Sequence, residues 1–355
     1  MIAFTSYFYK IKQLPKEGAQ MFKLFLPLIF IPVIVAALVS ITPVYLFGDD
    51  PVAEFTLSSS GRVIAVDLHG DILISDDNGT NWTGVFEAGG YQPLTSVITL
   101  QNGNMITGGL SWDKPTLLRS IDNGNTWSAV GAIALDTYSL RQIGSSVFAF
   151  GVDKDGASVY RSLNNGVTWS RVLSKPNEGY FVNGYDIGSN VIAIQNGGRT
   201  YRSGDGGANF SLVASNLVSQ ARDIIKIIKA GDGNLYAISI KSGGSWPGGS
   251  LFKSGNGVTW TVQHTSNEFW FNNLVEVAPG EFYALASHGS TTSQTLDLLH
   301  STDYGLNWSQ AAIVKNDVLA YDDMRFGLIL LPDKRLLIGA GRPGEGVIYR
   351  TSAIP

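Results

Sequence analysis

Ser120-Ile121-Asp122-Asn123-Gly124-Asn125-Thr126-Trp127 is a stretch that the chain repeats. The pattern Ser-x-Asp-x-Gly-x-x-Trp returns as Ser75, Asp77, Gly79 and Trp82, and as Ser301, Asp303, Gly305 and Trp308. It returns with substitutions as Ser162, Asn164, Gly166 and Trp169, and as Ser203, Asp205, Gly207 and Phe210. One residue shorter, it appears again as Ser254, Asn256, Gly257 and Trp260. The serines stand 45, 42, 41, 51 and 47 residues apart, a period that signals a stacked or radial array and not a single-core fold. The residue types are those of a tight turn. Short Ser and Asp side chains accept hydrogen bonds from nearby backbone N–H groups, Gly supplies a positive φ, and Trp buries a large ring. Each copy should therefore staple a hairpin.

These octads resemble Asp-boxes, the BNR repeats of β-propellers such as sialidases, sortilin-type receptors, two-propeller xyloglucanases and the photosystem II assembly factor family. The resemblance covers about residues 53–352. It implies that each box lies at the outer edge of a propeller blade, away from the central ligand face, and has a structural role. For function it implies little, since one fold hosts many activities.

Between the boxes, short apolar runs and turns repeat in the order strand, turn, strand, loop, strand, box, strand. In the first unit the strands read as 54–57, 62–67, 71–75 and 81–86. A seventh unit begins at Phe326 but ends without a box or fourth strand. An open blade exposes a strand edge, which propellers avoid by borrowing a strand from the other terminus. Residues 44–47, just after Pro43, are the natural donor. The expected fold is thus all-β: a seven-bladed β-propeller over 43–355, preceded by an N-terminal hydrophobic helix that is a membrane anchor or signal segment.

That segment is read from residues 24–48, which carry no charge and exceed the roughly 20 residues needed to cross a bilayer. Lys10, Lys12, Lys16 and Lys23 precede it, while Asp49, Asp50 and Glu54 follow. The positive-inside rule then leaves residues 1–21 in the cytoplasm, places 22–42 in the membrane and exports the repeats. A start at Met21 would make the same run a cleavable signal peptide, so both an anchored and a secreted form are consistent with it.

The 355 residues include 41 Gly, no Cys and 15% charged residues, with a net charge of −4. Such a balance fits many short strands and tight turns, excludes disulfides and thiolate chemistry, and offers no general electrostatic reason to bind nucleic acid. The histidines His69, His264, His288 and His300 show no ligand spacing, and neither a metal nor a cofactor is implied. The G-x-G-x-x-G match at 339–344 leads into a strand where a dinucleotide site needs a helix.

Function is expected on the propeller face opposite the boxes, where the long connections lie. Aromatics gather in those connections: Trp112, Trp246, Trp270, Tyr180, Tyr185 and Tyr321 are the candidate binding residues for a protein or glycan ligand. The alternative is a glycoside hydrolase of sialidase-like or xyloglucanase-like type. Its candidates are Arg222, Arg325 and Arg342 for a carboxylate ligand, with Asp223 and either Asp322 or Asp323 as a carboxylate pair. The sialidase pattern departs at Arg62, which sits in Ser-Gly-Arg-Val on the box side and not in an Arg-Ile-Pro motif. Mutual ion pairing among these charges is the simpler reading, and a non-catalytic binding or assembly module is the expected function.

Overall fold

The computed structural model describes residues 39–354, apart from 48–49, 89–91, 111–116, 131–132, 215–222, 241–247, 290–293, 319–325 and 343. The expected segment 1–21 and most of 22–42 lie outside the described residues.

Seven antiparallel sheets of four strands each make a seven-bladed β-propeller. Six blades use four consecutive strands running from the inside outward. Their inner strands are Val52–Leu57, Leu94–Thr99, Asp136–Ile143, Phe181–Ile187, Asp223–Lys229 and Trp270–Ala278. Blade 7 has Leu328–Leu330 inside, then Leu336–Arg342 and Glu345–Thr351, with the strand Ile41–Phe47 outermost. The ring is thus closed by the opposite end of the domain. The closing strand starts three residues earlier than Val44, however, and takes in Ile41 and Thr42 from the end of the expected membrane segment. Pro43 reads as a break in sequence; on an outermost strand it is tolerated, here beside a register irregularity between Pro43 and Tyr45.

The second strand of each blade has both faces against other blades, so its side chains need not alternate between core and water. Val63–Asp67 is buried at every position. The core accordingly sits between blades. Phe148 and Phe150 of blade 3 pack with Phe181, Val191 and Tyr201 of blade 4, and Ile64 and Val66 of blade 1 with Leu94, Val97 and Met105 of blade 2. Among the described residues no helix is long and apolar enough to cross a membrane.

All six octads form one turn. The Ser hydroxyl donates to the Asp or Asn oxygen two residues on at 2.6–3.3 Å. It accepts from the Gly N–H at 2.8–2.9 Å. The two asparagines keep the acceptor without the charge. Asn164 Oδ1 accepts from the Thr168 N–H at 2.9 Å, and Asn256 Oδ1 from the N–H groups of Val258 and Thr259 at 2.9 and 2.8 Å, one residue sooner because that copy is shorter. The Thr126 hydroxyl and N–H hold the Asp122 carboxyl at about 2. Burial opposes the same shift at Asp77, but donors from Asn81, Ser75 and Thr80 outweigh it and hold that carboxyl at about 2 as well.

A staple within one hairpin is too narrow a role for these residues. Trp82, Trp127, Trp169, Trp260 and Trp308 each donate the indole N–H to the carbonyl of their own Gly at 3.0–3.3 Å, which turns the ring inward. The rings then pack between blades. Trp169 joins the cluster of Ile106 and Leu140 from blades 2 and 3, Trp260 that of Ile192 and Leu235 from blades 4 and 5, and Trp308 that of Leu251 and Phe282 from blades 5 and 6. Phe210 has no N–H to donate, yet it packs in the equivalent place, on the cluster of Phe148 and Tyr201 between blades 3 and 4. Burial of the ring is what this position needs, and the indole hydrogen bond is dispensable. The glycine also presses on the preceding blade. At Gly79, with φ +78°, a Cβ would lie 2.6 Å from Leu337 of blade 7. Gly166, Gly207 and Gly305 likewise press on Ile106, Phe148 and Leu251, each in the blade before.

The octads and the turns between first and second strands share one end of the propeller, the box face. The turns between second and third strands and the connections between blades share the other, the long-loop face.

Candidate functional site

The inner strands line the central channel, and a register irregularity recurs in the first six of them. It falls between Val52 and Glu54, Leu94 and Ser96, Thr137 and Ser139, Phe181 and Asn183, Ile224 and Lys226, and Phe271 and Asn273. A bulge re-aims the side chain beside it. The residue that follows is polar every time: Glu54, Ser96, Ser139, Asn183, Lys226 and Asn273. Because inner strands start at the long-loop face, this ring lies just inside that mouth.

Three of the six tie one blade to the next. The Leu140 N–H donates to Ser96 Oγ at 3.1 Å, Arg141 Nε to Asn183 Oδ1 at 3.0 Å, and Asn273 Nδ2 to the Phe326 carbonyl at 2.6 Å. Glu54 and Lys226 are different. They come from blades 1 and 5, with two blades between them the shorter way round, and their 3.4 Å ion pair reaches across the channel. Deeper in, Arg141 Nη2 donates to the Tyr185 hydroxyl at 2.7 Å, with the guanidinium 4.9 Å from the ring centre. That hydroxyl in turn donates to the Ile227 carbonyl, clasping blades 3, 4 and 5 together. Burial pushes the Tyr185 phenol up, against the pull of Arg141. A tyrosine nucleophile needs the opposite shift and a free oxygen.

Two of the expected binding aromatics are buried. Tyr185 packs among Ile224, Ile227 and other side chains of blades 4 and 5, and Trp270 among Tyr283, Phe326 and Leu328 of blades 6 and 7. Both close gaps between blades, because the inner strand on which each lies is covered by its neighbour. Tyr180 stays half-buried at the mouth, stacked on Tyr138 with centroids 3.9 Å apart and planes 12° apart. Asp223 begins the inner strand of blade 5 and accepts from Asn196 Nδ2 at 3.2 Å. Arg342 ends the second strand of blade 7 opposite Glu345, so Gly339–Arg342 lies on a strand and not ahead of a helix. Trp112, Trp246, Tyr321, Arg222, Arg325, Asp322 and Asp323 lie outside the described residues. Among the described residues no group of His, Asp and Glu side chains could hold a metal ion.

Sequence reasoning passes over Asp67, which ends the second strand of blade 1 on the long-loop face. Its Oδ1 accepts from the N–H groups of His69, Gly70 and Asp71 at 2.8–3.0 Å, while its buried Oδ2 has no partner among the described residues. Burial pushes this carboxyl up to about 7, with the Asp71 charge adding to the shift and the three N–H groups opposing it. A raised folded pKa contributes stability that is fully present below the ordinary carboxylate range and is lost as pH rises through about 7. From about pH 5 to pH 8 the loss is on the order of 3 kcal/mol. Asp67→Asn, which keeps the Oδ1 acceptor without the charge, is expected to melt above the wild type at pH 8 and to lose most of that advantage at pH 5. Wild-type and variant melting curves that stay parallel from pH 5 to 8.5 would sink this.

No protein-family model matches the sequence, and no curated protein matches it. Solved structures match in fold. YCF48 bound to a D1 peptide superposes with a TM-score of 0.59 at 16% identity, over 88% of this chain and 96% of that one. A streptogramin B lyase gives 0.64 at 12% identity, over 89% and 98%. The GH74 xyloglucanase from Xanthomonas campestris gives 0.60 at 16% identity, over 85% of this chain and 52% of that one. At these identities the likeness is one of fold, and it places this chain among the β-propellers.

Proposed function

We propose that this chain is an exported, membrane-attached propeller that binds a protein or glycan partner on its long-loop face and does no chemistry there, its octads serving as Asp-boxes of the BNR kind. The observation that carries the reading is the state of the channel. Glu54 is tied to Lys226 across it, and the Tyr185 hydroxyl is spent on a backbone carbonyl. Neither is placed as a free acid, base or nucleophile. What the long-loop face offers instead is aromatic surface around the Tyr138 and Tyr180 stack. YCF48, of similar fold, holds a peptide, which supports a peptide or protein as partner. The uncharged run ahead of the closing strand and the lysines before it support attachment to a membrane with the propeller outside.

The test combines partner capture and a glycan array with hydrolysis assays on sialosides and β-glucans, using the full chain. Binding without turnover, weakened at least tenfold by Tyr180→Ala or by Trp112→Ala or Trp246→Ala, is the expected result. Turnover abolished by Asp223→Asn would replace the module with a glycoside hydrolase.

A further inference from the structure

We propose that Asn196-Gly197, in the turn between the second and third strands of blade 4, is a site of spontaneous side-chain amide hydrolysis through a cyclic imide, and that the carboxylate it leaves unseats Tyr180 at the long-loop mouth. The chemistry stands apart from the function proposed above; only the part given to Tyr180 in binding rests on that reading.

An asparagine followed by glycine carries its own reagent. The glycine nitrogen attacks the asparagine Cγ and loses its proton, and the amide nitrogen leaves as ammonia. Water then opens the imide at either carbonyl, giving aspartate or isoaspartate. Glycine has no Cβ to obstruct the approach, so the remaining condition is a backbone nitrogen that is not already engaged.

The chain holds seven Asn-Gly pairs. In four of them, at Asn78, Asn123, Asn165 and Asn256, the octad spends the glycine N–H on its Ser hydroxyl at 2.9 Å. The Gly103 N–H donates to the Leu100 carbonyl at 2.8 Å. The Gly184 N–H donates to Asn183 Oδ1 at 2.8 Å, in a buried place closed to the water that the second step needs. Gly197 differs from all six. It is exposed, its N–H has no acceptor among the described residues, and a Cβ added there would meet nothing within 4 Å. The Asn196 side chain is held only by two long bonds, Oδ1 accepting from the Tyr180 N–H at 3.4 Å and Nδ2 donating to Asp223 Oδ1 at 3.2 Å.

Those bonds are what the reaction destroys. Asn196 grips the backbone of Tyr180 from both sides, since its own N–H donates to the Tyr180 carbonyl at 3.0 Å while its Oδ1 accepts from the Tyr180 N–H. Its carbonyl accepts from the Ile224 N–H of blade 5 at 3.0 Å. Asn196 therefore ties the connection that carries Tyr180 to the inner strand of the next blade. Hydrolysis replaces the Nδ2 donor with a carboxylate oxygen facing the Asp223 carboxylate, and like charges in such contact repel. Arg199, the nearest cation in sequence, is already paired with Glu178 at 2.8 Å and does not offset that repulsion. Isoaspartate also lengthens the main chain by one carbon inside a turn closed by the Gly198 N–H on the Gln195 carbonyl at 2.9 Å. Because ammonia leaves, the change runs one way, and the mouth loses its seat for Tyr180 as the protein ages.

Peptide mass spectrometry of the full chain aged in mildly alkaline buffer reads all seven pairs at once, with the urea-unfolded chain as the reference in which they react alike. In the folded protein Asn196 is expected to react at least fivefold faster than any of the other six. An octad asparagine that reacts as fast as Asn196, or an Asn196 slowed from its unfolded rate as strongly as the octad asparagines are, overturns the site. Hydrogen exchange reads the consequence separately. Asn196→Asp is expected to speed exchange of the Tyr180 amide at least tenfold, and adding Asp223→Asn, which returns a donor to the pair, to reverse most of that gain. Unchanged exchange in Asn196→Asp, or no reversal in the double variant, overturns the unseating. Neither measurement uses a partner, so its failure is distinct from a failure of the binding function.

Discussion

Removing residues 39–47 is expected to lower the melting temperature by about 10 °C and to leave a protein that self-associates. The closing strand contributes more than hydrogen bonds to Glu345–Thr351. Val44 and Tyr45 pack on the cluster of Val52, Phe55, Trp82 and Ile348 that joins blade 7 to blade 1, and Val39 packs with Phe326, Leu336 and Ile354. Burial of this kind stabilises by about 1.5–3 kcal/mol per large side chain when complete, so several partly buried ones together contribute about 5 kcal/mol. The third strand of blade 7, with Val347 and Ile348 buried, would become an open edge. A synthetic peptide of residues 39–47 added in excess should restore the lost stability by adding a strand to that edge. Calorimetry of the truncated chain with and without the peptide measures this directly. An unchanged melting temperature would mean that the ring is held by blade-to-blade packing alone.

How much of this was legible in the sequence depends on which constraint acts on each residue. Repeats dictated by a turn are legible, because Ser-x-Asp-x-Gly is needed wherever that turn forms; the octads therefore marked six blades. What lay beyond their own hairpins was not, since nothing local to Trp169 or Phe210 names the blade its ring packs against. The closing strand was legible in kind and shifted at its start, since Pro43 suggests a break that an outermost strand does not require. The polar ring was not legible. Glu54, Ser139 and Lys226 look like solvent-facing strand residues until bulges put them at equivalent positions, and a bulge shifts the period-two pattern from which a face is read. That Tyr185 and Trp270 are buried between blades was not legible for a related reason. A ring at the mouth of an inner strand and a ring wedged between blades have the same local sequence, and only the position of the neighbouring blade tells them apart.

The glycine of the octad offers the sharpest test of what sequence alone left out. If the turn only stapled its own hairpin, Gly79→Ala would cost what any alanine at positive φ costs, about 1 kcal/mol. Gly61 in the same blade supplies that reference: it has φ +86° and nothing within 4 Å of an added Cβ. At Gly79 the added carbon would stand 2.6 and 2.7 Å from the two methyl groups of Leu337, a side chain fully buried in blade 7. Overpacking of a buried contact adds roughly 1–3 kcal/mol to the backbone cost. Gly79→Ala is therefore expected to destabilise by about 2–4 kcal/mol and Gly61→Ala by about 1. The excess should belong to the interface between blades 1 and 7. Leu337→Ala removes the methyl groups and leaves a cavity of its own, so the double variant Gly79→Ala with Leu337→Ala should be less destabilised than the sum of the two single changes by about 1–2 kcal/mol. Denaturant unfolding of the wild type, the two single variants and the double variant closes that cycle. Strict additivity would confine the octad to its own hairpin; the expected coupling makes each one a wedge against the blade before it, which is why Asn164, Asn256 and Phe210 can replace the Asp and Trp of the pattern while its glycine stays in all six copies.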